Sequence, residues 1–158
     1  MNSKLSTLAF LQRQLDGSLP ADATTEMRYP TAISQLLGFR ITDVGVGYAQ
    51  VELDADAAIH GNQQGTVHGG MLCELADATI GTAHSTAIAE GETFASIDLR
   101  ISFFRPVWRS VLTATAQQVQ HGKTLTHYEC EITRDDGKPV ALAMSTVMTI
   151  RGEAASGR

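Results

Sequence analysis

Residues 59–89 read IHGNQQGTVHGGMLCELADATIGTAHSTAIA, and the fold turns on how this stretch is read. Its first part, Ile59 to Gly70, is dense in glycine and polar side chains, which marks a loop. From Gly69 the pattern changes. Met71, Leu72, Leu75, Ala76, Ile80 and Ala83 recur at helical spacing and Glu90-Gly91 closes the run, so a helix is expected over Gly69–Ala89. The rest of that helix is largely Ala, Gly, Ser and Thr. Small side chains permit very close packing, as when one helix is wrapped by a curved sheet.

The flanking sequence supplies the sheet. Upstream, Phe39 to Leu53 alternates through Ile41, Val44, Val46, Val51 and Leu53, with Gly45 and Gly47 permitting a turn or bulge. Downstream, four strands are expected at Phe94–Phe104, Ser110–Gln120, Lys123–Arg134 and Lys138–Ile150. In the first of these, Ile97, Leu99, Ile101 and Phe103 fall on one face, and Arg105-Pro106 ends it. Gln120-His121-Gly122 and Asp135-Asp136-Gly137 read as hairpin turns. Strands, one long helix, then four antiparallel strands define an α+β domain, an antiparallel sheet around one central helix. Before it, Leu5, Leu8, Leu11 and Leu15 predict a helix over Ser3–Leu15, and a second short helix is expected over Thr31–Leu37 with Gly38 as its stop. The chain thus divides into a helical extension (1–37), the sheet-and-helix domain (38–151) and a flexible tail (152–158).

With 158 residues, 43% hydrophobic and 18% charged, the chain has material for one globular domain with a real core. Its apolar stretches fall well short of the ~18 residues of a membrane span. The N-terminus lacks an apolar block ending in a small-residue cleavage site, and Cys73 and Cys130 fit no zinc, redox or disulfide spacing. A cytoplasmic location is expected. The net charge of −5 argues against nucleic acid as a partner. Between Arg40 and Arg100 there are nine acidic residues and no Lys or Arg, while eight of the twelve cations lie at or after Arg100. A phosphorylated ligand would therefore be held mostly from the C-terminal half.

Two features carry chemistry. Gly69-Gly70 opens a helix, so its backbone N–H groups lack intrahelical partners and carry the positive end of the dipole. Without side chains these residues can approach a ligand carbonyl and form an oxyanion hole; they also suit a tightly packed helix entry. Asp77 sits at the edge of the apolar stripe, with Glu74, Cys73, Ile80 and Gly81 three and four residues away and no cation on its own helix. Such a carboxylate is either chemical or bonded to backbone or a neighbouring strand. Glu74 is expected on the opposite, wetter side. Gly69 and Asp77 are ~12 Å apart along one helix, so they serve one carbonyl only if two helices run antiparallel across a two-fold axis. His60, His84, His121 and His127 show no ligand spacing, and no metal or other cofactor is expected.

With these residues in view, the chain resembles the hotdog-fold thioesterases, in particular their phenylacetate-pathway, PaaI-like branch. The resemblance covers about Gly38 to Ile150. It rests on Asn62-x-x-Gly65-x-x-His68-Gly69-Gly70, on Asp77, and on Ser96-Ile97-Asp98-Leu99-Arg100-Ile101-Ser102-Phe103 with Arg105-Pro106. It implies acyl-CoA hydrolysis by a homodimer, or a homotetramer built as a dimer of dimers. Asp77 would act as nucleophile or as general base on water, and the Gly69 N–H would polarise the thioester carbonyl. Asn62 would place the thioester or the water, His68 would support the turn, and Ser96 would position the attacking water. Gly65, Gly70 and Arg105, with the hairpin residues Gly122 and Lys123, would lie along the substrate. Some aryl-CoA relatives carry Glu at the acidic position and Thr one turn later; Asp77 and Gly81 depart from that pattern, which leans toward the Asp-type branch. A thioester is already activated, so one carboxylate, one water and a backbone electrophile suffice. The other readings are a non-catalytic acyl-CoA-binding module of the same fold and a hotdog dehydratase or hydratase. An acid in the pocket weighs against the first, and the absence of their His-plus-acid motifs against the second.

Overall fold

A computed structural model describes residues 4–156. Six strands form one antiparallel sheet: β1 (Arg40–Gly45), β2 (Tyr48–Asp56), β3 (Thr93–Phe103), β4 (Arg109–His121), β5 (Leu125–Thr133) and β6 (Pro139–Ile150). They lie in the order β1-β2-β4-β5-β6-β3, so β1 and β3 are the edges. Among the described residues there are four α-helices: α1 (Thr7–Asp16), α2 (Ala32–Leu37), α3 (Ala57–His60) and the long α4 (Gly69–Ser85). The α+β reading holds, and the helix of the opening stretch is the one the sheet wraps.

Alternation explains the wrap. Ala49, Val51, Leu53 and Ala55 of β2, Leu112, Ala114 and Ala116 of β4, and Tyr128, Cys130 and Ile132 of β5 are all buried on one face. Against them α4 buries Leu72, Leu75, Ala76, Ile80 and Ala83. Alanine recurs at this contact on both sides, which lets the helix seat close to the sheet. At about 25 cal/mol per Å² of apolar surface, this continuous core is the main term favouring the fold.

Three boundaries depart furthest from expectation. The first helix starts at Thr7, where Ser6 Oγ accepts the Ala9 N–H, and ends at Gly17; Ser3 lies outside the described residues. The expected tail over 152–158 begins as a short 3₁₀ turn, Gly152–Ala155, and its last two residues lie outside the described residues. More telling, α4 stops at Ser85, four residues before Ala89. The Ser85 hydroxyl donates to the Thr82 carbonyl, and Thr86 Oγ1 donates to the Gly45 carbonyl (2.6 Å) while accepting from Gly47 N–H (3.0 Å). Hydroxyls near a helix end compete for its carbonyls, and here they tie it to the β1–β2 turn. That turn needs glycine at position 47: φ is +66° and the Gln118 side chain packs 2.3 Å from where a Cβ would sit.

The strand expected to present Ile97, Leu99, Ile101 and Phe103 on one face does not do so throughout. Its pairing with β6 slips between Ser96 and Asp98, which places Ile97 in a bulge, 56% exposed. The bulge is held by Asp98, whose Oδ1 accepts the Thr146 N–H and whose carbonyl accepts the Ser145 hydroxyl. Among the described residues, no helix is long and apolar enough to cross a membrane.

Candidate active site

The bulge shapes the site. Just before it, Ser96 points its hydroxyl at α4, donating to Asp77 Oδ1 at 3.2 Å. Asp77 is half-buried, and among the described residues no cation pairs with it. A cleft of about 390 Å³ opens beside the pair, walled by Gly70, Cys73, Glu74 and residues 96–99. Glu74 is not on the opposite side of the helix, as expected: a residue three positions back lies only about 60° around the wheel, so it stands beside Asp77. Burial, and then the Asp77 charge, raises the Glu74 carboxyl above its ordinary value.

The loop before α4 is closed on itself. Val67 N–H donates to the Val107 carbonyl, and His68 N–H to the His60 carbonyl, both at 2.8 Å. The Asn62 side chain organises the interior. Its Oδ1 accepts from Gln64 N–H (2.9 Å) and Thr66 N–H (3.2 Å), while Nδ2 donates to Thr66 Oγ1 (3.0 Å). An amide nitrogen carries two protons, so one Asn62 N–H has no partner among the described residues. Gly61 precedes it because a Cβ there would lie 2.1 Å from the Ala57 carbonyl oxygen, a backbone atom that cannot give way.

His68 is the N-cap of α4. Its Nδ1 accepts the Gly70 N–H at 2.9 Å. That bond takes up the Gly70 N–H and leaves the Gly69 N–H as the first amide of the helix, at the positive end of its dipole. The Phe103 ring packs on this entry, 3.0 Å from where a Gly69 Cβ would sit.

The structure thus forms two groups from the expected residues. Asp77 and Ser96 meet midway along α4, beside the cleft. Asn62, Gly65, His68, Gly69 and Gly70 gather at its start, about 12 Å away along the axis. Gly122 and Lys123 lie in the β4–β5 turn, where Gly122 N–H donates to the Leu125 carbonyl. The Arg105 guanidinium donates to the Pro139 carbonyl. A larger feature had no place in the sequence reading: a cavity of about 740 Å³ on the far side of Asp77, roofed by α1 and residues 27–34. The apolar face of the first helix was its only sequence signal, and that face reads equally as core.

An antiparallel six-stranded sheet wrapped on one long central helix is the architecture of the hotdog class. The chain belongs to the thioesterase superfamily, whose family model matches residues 64–141. Within it the chain is PaaI-like. It is 34% identical to the acyl-coenzyme A thioesterase PaaI of Escherichia coli over 113 residues, 70% of this chain and 77% of that protein. The solved structure of E. coli PaaI, from the phenylacetic acid degradation operon, superposes with a TM-score of 0.72 at 31% identity, covering 78% of this chain and 87% of that one. This chain is also 27% identical to the 1,4-dihydroxy-2-naphthoyl-CoA hydrolase of Listeria monocytogenes, over 73% of this chain and 93% of that protein. The chain is a thioesterase of the hotdog fold.

Proposed function

We propose that this enzyme hydrolyses acyl-CoA thioesters to the free acid and CoA, in a site shared between two copies of the chain. The observation that carries the reading is the Ser96–Asp77 pair, at 3.2 Å, on a cleft that Gly70 also lines. Asp77 takes a proton from water as the water oxygen attacks the thioester carbonyl carbon, with Ser96 fixing the carboxylate and the water. Direct attack by the carboxylate, followed by hydrolysis of the anhydride, uses the same geometry. In either case the C–S bond breaks and CoA leaves through its sulfur, which takes up a proton.

The developing oxyanion needs a donor. Gly69 N–H is suited to that role, but it lies about 12 Å from its own Asp77. Two α4 helices antiparallel across a two-fold axis bring the start of one beside the middle of the other. In this reading the spare Asn62 N–H places the thioester, and His68 leaves Gly69 free by binding Gly70. Gly65, Gly70, Arg105, Gly122 and Lys123 line the path of the CoA arm. The assembly is a homodimer, paired into a tetramer after the resemblance, and its working place is the cytoplasm. Residues 38–151 form the catalytic unit, with 1–37 as an extension of it.

The test is CoA release, followed with a thiol reagent, from a panel of acyl-CoAs. The wild type turns over, and Asp77→Ala loses on the order of 10²-fold or more in kcat while retaining its fold. Wild-type turnover by a folded Asp77→Ala protein would remove Asp77 from the mechanism. Acyl-CoA binding without any CoA release would instead favour a non-catalytic module.

A further inference from the structure

Asp77 and Glu74 line two spaces at once. On one side is the cleft that holds Ser96 and Gly70; on the other is the 740 Å³ cavity, within the usual range for a small-molecule site. A thioester carbonyl held at Asp77 therefore has two directions in which to send its substituents.

The two spaces differ in chemistry. The larger one is walled mainly by apolar side chains, Leu11, Leu15, Met27, Ile33, Ile41 and Val51 among them, with Gln14, Arg28 and Arg40 also on its lining. Its floor is the outer face of α4, where Ala78 and Gly81 leave the volume unfilled. A Cβ at Gly81 would stand 3.7 Å from the Phe94 ring, so any larger side chain there must grow into the cavity. At the far end the Tyr29 hydroxyl and Ser85 Oγ bond each other at 2.7 Å, so an apolar group arriving there meets two hydroxyls already paired with each other. The roof is fastened down. Lys4 pairs with Glu26 and Glu90, and Glu26 also accepts the Gly91 N–H. All the roof residues lie outside the segment that the family model matches.

Resting on the acyl-CoA reading above, we infer that this cavity receives the acyl group, and that the acyl group is a straight aliphatic chain of medium length. From Asp77 to Ser85 is eight residues of α4. That is about 12 Å of helix, and an extended chain advancing ~3.5 Å per three bonds fits about ten carbons into it. An aryl-acetyl group would occupy only the near part and leave the Leu11–Leu15 wall uncovered.

Two measurements test this. The first is hydrolysis of butyryl-, octanoyl-, decanoyl- and phenylacetyl-CoA. kcat/KM rises about fourfold per added methylene up to roughly ten carbons, with phenylacetyl-CoA below decanoyl-CoA. The second is binding, by calorimetry, of the non-hydrolysable thioethers S-butyl-, S-decyl- and S-(2-phenylethyl)-CoA, with Kd following the same order. Two variants narrow the space: Gly81→Leu at the floor and Ile33→Trp on the exposed rim, the latter at a position 39% exposed where folding tolerates change. Each lowers the decanoyl-to-butyryl ratio of kcat/KM, mostly through KM, and the decyl-to-butyl affinity ratio by about tenfold or more. Absence of hydrolysis with chain-length-dependent thioether binding overturns the catalytic reading and leaves the cavity assignment standing. Thioether affinity that is flat with chain length or highest for the phenylethyl compound, or ratios unmoved in both variants, overturns the cavity assignment.

Discussion

Asp77 and Asn62 differ in what already holds them, and that ranks their substitutions. Asn62 spends most of its hydrogen-bonding capacity on its own loop, through Gln64 and Thr66. Asp77 has one modest partner, Ser96, so most of its acceptor capacity faces the cleft. On a single substrate, Asn62→Ala therefore lowers kcat less than Asp77→Ala does, because the Gly69 N–H remains. Ser96→Ala, which removes one hydrogen bond to the carboxylate, costs about tenfold. A greater loss from Asn62→Ala than from Asp77→Ala would reverse the two roles. At this scale the sequence was informative about chemistry and poor about direction. Asp77 stood out as a carboxylate with no cation on its helix. The Ser96 partnership depends on a bulge at Ile97, and an alternating run of Ile97, Leu99, Ile101 and Phe103 conceals a one-residue slip.

Element boundaries follow local chemistry where a cap is visible. Gly17 and Gly38 end α1 and α2 in the left-handed conformation, Gly38 at the stop that the sequence implied. The end of α4 was not legible, because hydroxyl groups end it through bonds to a distant turn. One more element-scale device lies inside that helix. His84 is fully buried, with Nδ1 3.0 Å from the Tyr128 hydroxyl and Nε2 3.0 Å from Thr149 Oγ1. A neutral imidazole can give one bond and take the other. Burial, with the nearby His121 and Arg151, lowers its pKa from 6.5 to about 4. The unfolded chain then binds the proton more readily than the folded one, so stability is lost as pH falls from about 6.5 toward 4. The Tm drops between pH 7 and pH 5, a range above that in which the lowered carboxylates Glu92 and Asp136 take up protons. His84→Gln has a lower Tm at both pH values but a smaller difference between them. An undiminished difference would assign the acid loss elsewhere.

For the whole molecule, layer architecture was readable because period and order were both clear: strands of period two on either side of one helix of period 3.6. The cavity roof was not, since a surface helix and a pocket wall carry the same apolar stripe. The sheet leaves β3 as an edge, with Ile97 and Phe103 more than half exposed. A long edge with apolar side chains is a surface that a second copy can cover. The shared-site proposal is tested by mixing defects. A purified heterodimer of Asn62→Ala and Asp77→Ala chains, co-expressed, has one site with both lesions and one with neither. It recovers up to about half of wild-type activity per dimer by that count. Heterodimers no more active than the mean of the two parents, or an active monomer, rule the arrangement out.

The length of α4 between Gly69 and Asp77 has a further consequence. A straight helix cannot fold its middle back to its own start, so with the reaction centre split as proposed, each chain alone is two unmatched halves. Turnover per chain then tracks the fraction of chains that have met another. Far above the dissociation constant the rate is proportional to the amount of protein; well below it, the rate falls with the square of that amount. Dosage itself becomes the control, and a modest change in expression near that threshold alters thioester clearance more than proportionately.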